Sequence, residues 1–538
     1  MELTLDSIRE DRAAFKAAGY VLPAFDYEKV KGNTLERPVW IHFGAGNIFR
    51  AFQANLVQRL LNDNVMDVGL IAAEGYDHEI VEKGLRPHNN LSILATLNGD
   101  RSVEKTIVGS IMESLILDRE NEGEYGRLKA IFAKDTLQIA SFTITEKGYA
   151  VTDTDGNILS AIAADFEKGP EMPDSYLGKV ASLLYARYKR GQLPIAMVSM
   201  DNCSHNGDKL RDAMVAFAKA WCEKGLADAG FLDYVNNPTV VSFPWTMIDK
   251  ITPRPDARVE ALLALDGIEG LDPIITSKNT YIAPFVNAGK CEYLVMEDNF
   301  PNGRPPLEKG GVIFTDRETV DKVERMKVCT CLNPLHTALA IFGCLLGYQL
   351  IADEMKDASL RKLVEIVAYQ EGLPVVTDPV IIKPKAFLDQ VVKERISNPF
   401  MPDTPQRIAT DISQKLAIQY GETISAYEDS PDLSVGILRM IPLVLAGWLR
   451  YLMGVDDAGK KFDISPDPLL EEVQPYVAEY ALTERKKDLV RLDELLKNKK
   501  IFGVDLVSVG MAEQVKEHFA ELSSCPGAVK KTLIKYTK

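Results

Sequence analysis

The hydrophobic positions near the N-terminus follow first a strand pattern and then a helix pattern. Residues 39–43 form a short apolar run that stops at Gly44, and apolar residues then recur at helical spacing over residues 48–61. Later apolar runs alternate with the helical stretches 182–189 and 209–224. The later runs that we predict to be strands are residues 68–73, 92–96, 106–108, 137–144 and 195–200. This alternation predicts an α/β fold whose N-terminal domain contains a Rossmann-like, doubly wound sheet.

Beyond residue 310 the pattern becomes predominantly helical. Prolines and glycines over residues 300–311 indicate a surface connection, so we predict a sheet domain over residues 1–310 and a mostly α-helical domain over residues 311–538. The predicted helices extend from residue 319 into the mid-350s and over residues 358–371, 384–395, 404–420, 435–453, 467–480, 483–499 and 508–522. The apolar runs at 335–352 and 435–453 approach membrane-spanning length. Both contain polar or charged residues, so we expect buried helices and no membrane span.

The turn after the first predicted strand has the chemistry of a dinucleotide site. Gly44 permits a tight turn, Gly46 allows backbone N–H groups to approach a pyrophosphate, and Arg50 adds a positive charge in the first helical turn. The second predicted strand ends at Glu74, where such folds place a carboxylate that binds the adenosine ribose. Because a carboxylate there repels a 2′-phosphate, we expect NAD rather than NADP. Phe49 replaces the third glycine of the usual motif, so a βαβ unit without a nucleotide stays open.

Polar residues also follow two later predicted strands. Residues 145–149 come after the strand at 137–144, and residues 201–207 come after the strand at 195–200. The carboxyl ends of parallel strands meet at one edge of the sheet, where open α/β sheets bind ligands. A simple turn is the alternative. The expected cofactor-binding residues are Phe43, Gly44, Ala45, Gly46, Asn47, Ile48, Arg50, Glu74, Thr145 and Glu146.

Two further groups of polar residues lie in otherwise apolar surroundings. Asp249 and Lys250 interrupt an apolar stretch bounded by prolines, and buried charges need either partners or a function. Lys327, Asn333 and His336 lie together at the start of the most apolar predicted helix. A lysine can transfer a proton, and the two other side chains can donate hydrogen bonds to one small polar molecule. The alternative is a helix cap, a solvated charge and a hydrogen-bonded histidine.

Composition and charge narrow the class of protein. The chain of 538 residues has a formal net charge of −15, which disfavours general binding to nucleic acids or anionic membranes. Its seven cysteines are an odd number and do not suggest a disulfide framework. The N-terminal residues are charged throughout and lack the apolar core of a signal peptide. We therefore expect a cytoplasmic monomer or small homo-oligomer that acts on a small molecule, with no nucleic-acid or membrane partner.

Several of these motifs, in this order, resemble those of the polyol-specific long-chain dehydrogenase family, which includes the mannitol dehydrogenases. The resemblance covers residues 38–416. The matching stretches are His42-Phe-Gly-Ala-Gly-Asn-Ile-Phe-Arg50, Thr145-Glu-Lys-Gly-Tyr149, Ser199-Met-Asp-Asn202 with Asn206-Gly207, Phe243-Pro-Trp-Thr-Met-Ile-Asp-Lys-Ile-Thr-Pro253, and Arg395-Ile-Ser-Asn-Pro399. The resemblance implies an NAD-dependent, metal-independent oxidoreductase with a Rossmann-like domain followed by a helical domain.

The resemblance also implies roles for individual residues. Lys327 corresponds to the family's catalytic lysine, which would carry the proton. The predicted hydrogen-bond donors to the substrate oxygen are Asn333, His336 and Asn202. The predicted substrate-binding residues are Asp249, Lys250, Arg395 and Asn398. The family usually has four residues between the lysine and the asparagine, whereas this chain has five, so either a bulge absorbs the extra residue or the lysine enters from a different backbone position.

For the substrate we favour the sugar acid pair D-fructuronate and D-mannonate, mainly on the resemblance. Arg395, Lys383 and Lys385 are available for a carboxylate, and an arginine can bind one through two parallel hydrogen bonds. All three residues can equally be surface charges. Other substrates of the family stay open, as in mannitol 2-dehydrogenase, tagaturonate reductase and mannitol-1-phosphate dehydrogenase.

Two interpretations from other classes also stay open. A zinc alcohol dehydrogenase could use Cys329, Cys331 and His336, but the two cysteines lack a second pair and lie in an apolar run, which favours buried thiols and no metal. A non-catalytic NAD-binding regulator would result if the altered lysine spacing has ended catalysis. Activity that survives a chelator would reject the first interpretation. Cofactor binding without turnover would favour the second.

Overall fold

The chain forms two compact units in the computed structural model, which describes residues 1–482 and 489–538. Unit 1 comprises residues 1–98 and 102–321, and unit 2 comprises residues 99–101 and 322–538. The boundary thus follows Asp321, whereas the proline and glycine pattern placed it at residue 310. The difference arises because Ile313–Thr315 pairs in parallel with Glu292–Glu297 of unit 1.

The strands of the described residues all lie in unit 1. They are β1 (Tyr20–Val21), β2 (Trp40–Phe43), β3 (Leu70–Glu74), β4 (Ser92–Leu97), β5 (Val103–Val108), β6 (Ile111–Ile116), β7 (Ile139–Phe142), β8 (Ile195–Ser199), β9 (Val241–Ser242), β10 (Thr246–Lys250), β11 (Ile274–Ile275), β12 (Tyr281–Ile282), β13 (Phe285–Gly289), β14 (Glu292–Glu297) and β15 (Ile313–Thr315). The helices of unit 1 are α1 (Leu5–Glu10), α2 (Arg12–Ala17), α3 (Tyr27–Glu36), α4 (Ala54–Asn62), α5 (Glu122–Phe132), α6 (Ser160–Lys168), α7 (Tyr176–Lys189), α8 (Asn206–Glu223), α9 (Gly230–Asn236) and α10 (Ala257–Leu265).

The main sheet of unit 1 is parallel, with the strand order β6–β3–β2–β7–β8–β9. Numbered along the chain within this sheet, the strands follow the order 3-2-1-4-5-6 of doubly wound dinucleotide-binding folds. The order reverses between β2 and β7, so the carboxyl ends of these two strands lie side by side. The predicted α/β fold is confirmed.

Alternate side chains of the main sheet fill two hydrophobic cores, one on each face. Ile41 and Phe43 of β2 belong to one core, and Trp40 belongs to the other. Leu128 of α5 packs in the first core, and Leu56 of α4 packs in the second. Because both faces are covered, the central strands are mostly apolar rather than alternating.

Of the fifteen strands in the described residues, six were predicted, two of them without their sheet, and nine were missed. The runs at 92–96 and 106–108 became β4 and β5, which pair antiparallel in a separate sheet of order β1–β5–β4–β13. The edge strand β6 of the main sheet was not predicted, because Glu113 and Ser114 interrupt its apolar pattern. A third sheet has the order β10–β14–β15 and holds Asp249 and Lys250.

The named elements in the described residues of unit 2 are all helices. Helix α11 (Arg317–Arg325) crosses the boundary between the units. The other helices are α12 (Asn333–Leu346), α13 (Ile351–Glu354), α14 (Ala358–Glu365), α15 (Pro384–Gln390), α16 (Pro405–Ile408), α17 (Glu422–Asp429), α18 (Met440–Leu452), α19 (Leu470–Val473), α20 (Leu492–Leu496), α21 (Lys499–Phe502), α22 (Ala512–Leu522) and α23 (Ala528–Tyr536). The helix predicted over residues 483–499 falls partly on residues 483–488, outside the described residues.

The two long apolar runs are buried helices, as predicted. Among the described residues, Arg317–Leu346 form one helix long and apolar enough to cross a membrane, and 83% of its most apolar window is buried inside the protein. Helix α18 is buried along its whole length. The α12 part of the first helix and α18 contribute to the interior of unit 2.

Candidate active site

The glycine turn after β2 has the geometry that a dinucleotide needs. Gly44 has φ +100°, and an added Cβ would lie 2.3 Å from the backbone oxygen of Thr143, so only glycine fits there. At Gly46 an added Cβ would meet nothing within 4 Å, so the backbone faces open space. This turn lies where the strand order reverses, and it therefore fits a pyrophosphate approached by backbone N–H groups.

Glu74 ties the glycine turn to the end of β3. Its side chain is buried and accepts hydrogen bonds from the backbone N–H groups of Ala45 at 2.9 Å, Tyr76 at 2.9 Å and Asp77 at 3.2 Å. A carboxylate has about four acceptor positions, so three bonds leave capacity for a ribose hydroxyl. Glu74 thus fixes the turn as well as providing the predicted acceptor.

Arg50 is a buried cation next to the glycine turn. It lies in a π-helical turn, Phe49–Gln53, and is 2% exposed. Its guanidinium donates to the backbone oxygen of Ala283 at 2.7 Å and to Oδ1 of Asn47 at 2.8 Å, and burial lowers its pKa to about 10. No carboxylate of the described residues forms an ion pair with it. A bound pyrophosphate would supply the missing negative charge.

Asp201 joins the loops that follow β7 and β8. Its carboxylate accepts hydrogen bonds from the backbone N–H groups of Ile144 at 2.9 Å and Thr145 at 3.0 Å, and from the Tyr149 hydroxyl at 2.6 Å. Sequence reasoning included Asp201 in a motif but not among the site residues. A carboxylate directly before the predicted donor Asn202, after a buried strand, was the available signal.

Thr145 has a backbone conformation that is rare for a branched residue. Its φ of +65° and ψ of 159° fall in a region that essentially only glycine occupies, at a cost of about 1–3 kcal/mol. Glu146 follows it and forms an exposed ion pair with Lys209 at 3.1 Å. Strain of this kind concentrates at functional sites and persists only where the surrounding structure holds it.

Lys250 is committed to an ion pair within the sheet. Its side chain is 3% exposed, and Nζ lies 2.9 Å from Glu292, which directly faces it on β14 and also pairs with Arg59 at 2.7 Å. The Lys250 charge thus has a structural partner in the sheet, and its role in substrate binding stays a prediction. Asp249 is also buried, on the opposite face of β10.

Lys327 lies in a π-helical turn, Met326–Cys331, at the start of the core helix of unit 2. The backbone N–H of Leu332 donates to the carbonyl oxygen of Lys327 at 3.0 Å, a bond that spans five residues. Such a turn takes one residue more than an α-turn, so it absorbs the fifth residue between Lys327 and Asn333. Asn333 begins α12, and His336 lies one turn later on the same side of the helix. The structure thus places all three residues along one continuous helical segment, with the lysine 3% exposed.

Neighbouring elements hold this segment firmly. The hydroxyl of Tyr420 donates to the backbone oxygen of Pro334 at 2.5 Å. An added Cβ at Gly372 would lie 2.8 Å from the side chain of Thr330. Glu371 in turn accepts hydrogen bonds at 2.6–2.8 Å from the first backbone N–H groups of α18. The contacts at Thr330 and Pro334 fix the backbone that follows the lysine.

Arg395 and Asn398 lie close together in unit 2. Arg395 ends another π-helical turn, Val391–Arg395, and Oδ1 of the buried Asn398 accepts a hydrogen bond from the N–H of Phe400 at 3.0 Å. Lys385 is exposed and pairs with Asp389 at 2.9 Å.

Metal ligands are not assembled near the two cysteines. Among residues 1–482 and 489–538, no three or more His, Cys, Asp and Glu side chains are grouped as a metal site. Burial raises the pKa of the Cys331 thiol to about 12, whereas a zinc ligand must be a thiolate.

Family models match most of the chain. Residues 39–309 match the mannitol dehydrogenase Rossmann domain, and residues 319–523 match the mannitol dehydrogenase C-terminal domain. The chain is 49% identical to the D-mannonate oxidoreductase of Thermotoga maritima over 535 residues, which cover 99% of this chain and 98% of that protein. It is 30% identical to the D-mannonate oxidoreductase of Escherichia coli, over 87% of this chain and 90% of that protein.

Similarity to a solved structure also indicates the mannitol dehydrogenase family. The mannitol 2-dehydrogenase of Pseudomonas fluorescens, in a ternary complex with NAD and D-mannitol, matches with 27% sequence identity and a TM-score of 0.69. The match covers 99% of each chain. The family predicted from the motifs is confirmed: this chain belongs to the mannitol dehydrogenase family.

Proposed function

We propose that this protein is an NAD-dependent, metal-independent oxidoreductase that interconverts D-fructuronate and D-mannonate. The observation that carries the proposal is the similarity, over nearly the whole chain, to the D-mannonate oxidoreductase of Thermotoga maritima. The open glycine turn and the buried lysine, with an asparagine and a histidine on the same helical segment, support it with matching chemistry.

Unit 1 holds the cofactor in this proposal. Backbone N–H groups at Gly46 and the Arg50 guanidinium bind the pyrophosphate, and Glu74 accepts a hydrogen bond from the adenosine ribose. When bound, NAD supplies or accepts the hydride that is exchanged with the carbon of the substrate. Because Glu74 is negative where NADP carries its 2′-phosphate, the site favours NAD.

Unit 2 supplies the acid and base in this proposal. Lys327 Nζ donates a proton to the ketone oxygen of D-fructuronate and accepts it again from the hydroxyl of D-mannonate. The Asn333 amide and the His336 ring donate hydrogen bonds to the same oxygen, where negative charge develops during reduction. Asn202 in unit 1 stays a predicted hydrogen-bond donor to the substrate.

The substrate carboxylate is assigned to Arg395. Its guanidinium can form two parallel hydrogen bonds with a carboxylate, and Asn398 follows it by three residues. The net charge of the chain is −15, so a locally placed cation is needed for an anionic sugar. A hexitol has no carboxylate and therefore cannot form this charged, two-bond pair with Arg395.

The proposal is tested by following loss of NADH absorbance with D-fructuronate, tagaturonate, fructose and fructose 6-phosphate, with a chelator present. We expect consumption of NADH with D-fructuronate and a fall in kcat of about 100-fold or more in Lys327→Met. The matched control is Lys516→Met, since Lys516 is also a largely buried lysine of unit 2 but pairs with Asp493 and Glu513. Consumption with none of these ketones, despite measurable NADH binding, would support a non-catalytic regulator instead.

A further inference from the structure

Asp201 holds two loops of unit 1 in place from a single side chain. The carboxylate binds two successive backbone N–H groups, of Ile144 and Thr145, and the hydroxyl of Tyr149. Its own backbone continues directly into Asn202. One carboxylate therefore connects the loop after β7 to the loop after β8, the two strands that follow the reversal of strand order.

We infer that Asp201 is a positioning residue, which holds the strained Thr145 backbone so that the end of β7 receives the nicotinamide half of the cofactor. The predicted effect of Asp201 on catalysis rests on the proposed function. The inference gives Asp201 a role that it exerts through Thr145 and Asn202.

The strain at Thr145 shows why a tether is needed. A threonine at φ +65° and ψ 159° would relax to an ordinary conformation unless neighbouring groups prevented it. The two N–H groups bound by Asp201 belong to the peptide bonds on either side of Ile144, so the carboxylate holds the peptide plane that leads into Thr145. Hydrogen bonds to a charged acceptor are stronger than neutral ones, so the carboxylate is suited to hold this conformation.

Asp201 is itself fixed by a buried network. The Ser199 hydroxyl donates to Tyr149 at 2.8 Å, and Tyr149 in turn donates to Asp201. Burial raises the pKa of Tyr149 well above its usual value, so its hydroxyl stays protonated as a donor. The Asn206 amide donates to the backbone oxygen of Asp201 at 3.0 Å. These bonds hold Asp201 in place, so its carboxylate opposes displacement of the Thr145 loop.

The position in the sheet identifies which half of the cofactor is affected. In this strand order, the glycine turn after β2 and the carboxylate after β3 serve the adenosine half and the pyrophosphate. The strands on the other side of the reversal, beginning with β7 and β8, serve the second mononucleotide, which in NAD is the nicotinamide half. Loss of the tether should therefore weaken NADH binding but not ADP-ribose binding.

The first test compares ligand affinities in Asp201→Asn. The amide places an NH2 group where a carboxylate oxygen accepts a hydrogen bond, so donor faces donor. We expect the Kd of NADH, measured by fluorescence titration, to rise at least about fivefold and the Kd of ADP-ribose to change less than about twofold. Equal weakening of both ligands, or no change in either, would overturn the inference. This readout needs no substrate, so it stands apart from failure of the proposed function.

The second test asks whether glycine rescues the variant. Glycine adopts the backbone angles of Thr145 without strain, so Thr145→Gly should reduce the need for the tether. We expect Asp201→Asn to lower kcat at least about 10-fold in the wild type but less than about threefold in a Thr145→Gly background. An equal loss in both backgrounds would contradict the inference.

Two further variants keep the test interpretable. Tyr149→Phe removes one of the three hydrogen bonds and should shift the NADH and ADP-ribose affinities in the same sense as Asp201→Asn, but less. Asp165→Asn is the matched control, because Asp165 is a buried carboxylate of unit 1 that binds the backbone N–H groups of Asp174 and Ser175. It should lower the melting temperature and leave the ratio of the two Kd values unchanged. A changed ratio in Asp165→Asn would show that loss of any such buried carboxylate weakens NADH binding selectively, which would contradict a specific role of Asp201.

Discussion

Two arginines show how burial separates a structural residue from a binding residue. Arg187 is fully buried, and its guanidinium donates to five backbone oxygens. Arg50 is equally buried but donates to two oxygens, and its Nε has no hydrogen-bond partner among the described residues. The capacity that remains at Arg50 lies beside the glycine turn, where an anion is expected.

At the residue scale we therefore predict that Arg50→Met raises the Kd of NADH about 10- to 100-fold, because a charge-assisted interaction with the pyrophosphate is lost. Fluorescence titration measures this directly. Arg187→Met is the control, and in its folded fraction the Kd should stay within about twofold of wild type while the melting temperature falls. An unchanged Kd in Arg50→Met would remove Arg50 from the cofactor site.

The sequence predicted the types of residues at the site better than their partners. Gly44 and Gly46 were predictable because their role depends on the local backbone. The ion pair of Lys250 was not predictable, because its partner Glu292 faces it only through the register of two antiparallel strands. The partners of Asp201 were likewise hidden, since the N–H groups that donate to its carboxylate come from a different loop. Pairings between distant segments leave no local signal in a single sequence.

At the scale of elements, hydrophobic spacing located the helices but not their π-helical turns. A π-turn differs from an α-turn by a single added residue, and the apolar pattern tolerates this change. Residues Arg50, Lys327 and Arg395 each lie in such a turn. The five-residue spacing between Lys327 and Asn333 was the one visible sign.

Because the π-helical turn at Lys327 holds one extra residue, we predict that the chain tolerates deletion of Val328. Removing one residue from the π-turn leaves four residues between the lysine and the asparagine, and a regular α-turn can then close. We expect the variant to keep at least about a tenth of the wild-type kcat/KM. Deletion of Ala340 inside α12 is the control, because it rotates everything beyond it by about 100° and should abolish soluble expression or activity. Complete loss of activity in both deletions would contradict the account.

A buried carboxyl group packed against α12 makes the free energy of unfolding depend on pH. Glu354 at the end of α13 is fully buried, and neither carboxyl oxygen has a hydrogen-bond partner among the described residues. An added Cβ at Gly343 of α12 would lie 2.2 Å from its Oε1, so the two helices are in close contact there. Burial, helped by the nearby Asp357, raises the pKa of Glu354 well above its usual value.

A raised pKa means that the stabilising contribution of Glu354 is complete below the pKa of the unfolded chain and is lost as pH rises through the folded value. Glu354→Gln does not titrate. We therefore expect the free energy of unfolding of the variant, relative to wild type, to increase with pH above about 4.5 by up to about 1.4 kcal/mol per pH unit. Denaturant unfolding at several pH values measures this. The exposed Glu471→Gln should show no such trend, and a flat difference for Glu354→Gln would contradict the prediction.

At the scale of the whole molecule, the general architecture was predictable and the boundary was less so. Alternation of strands and helices is a repeated pattern, so many positions together indicated the doubly wound sheet. A domain boundary depends on contacts, and β15 extends unit 1 beyond the proline-rich segment that marked the expected boundary. The order of several short motifs along the chain indicated the family, which the comparisons confirm.

The most direct measurement of the central claim is the transfer of deuterium from 4-deuterated NADH to D-fructuronate, followed by mass spectrometry with a chelator present. The account predicts D-mannonate that carries one deuterium at the reduced carbon, formed by the wild type and by Lys516→Met but not at a comparable rate by Lys327→Met. Labelled D-mannonate formed equally fast by Lys327→Met, or no labelled D-mannonate from the wild type, would contradict the account.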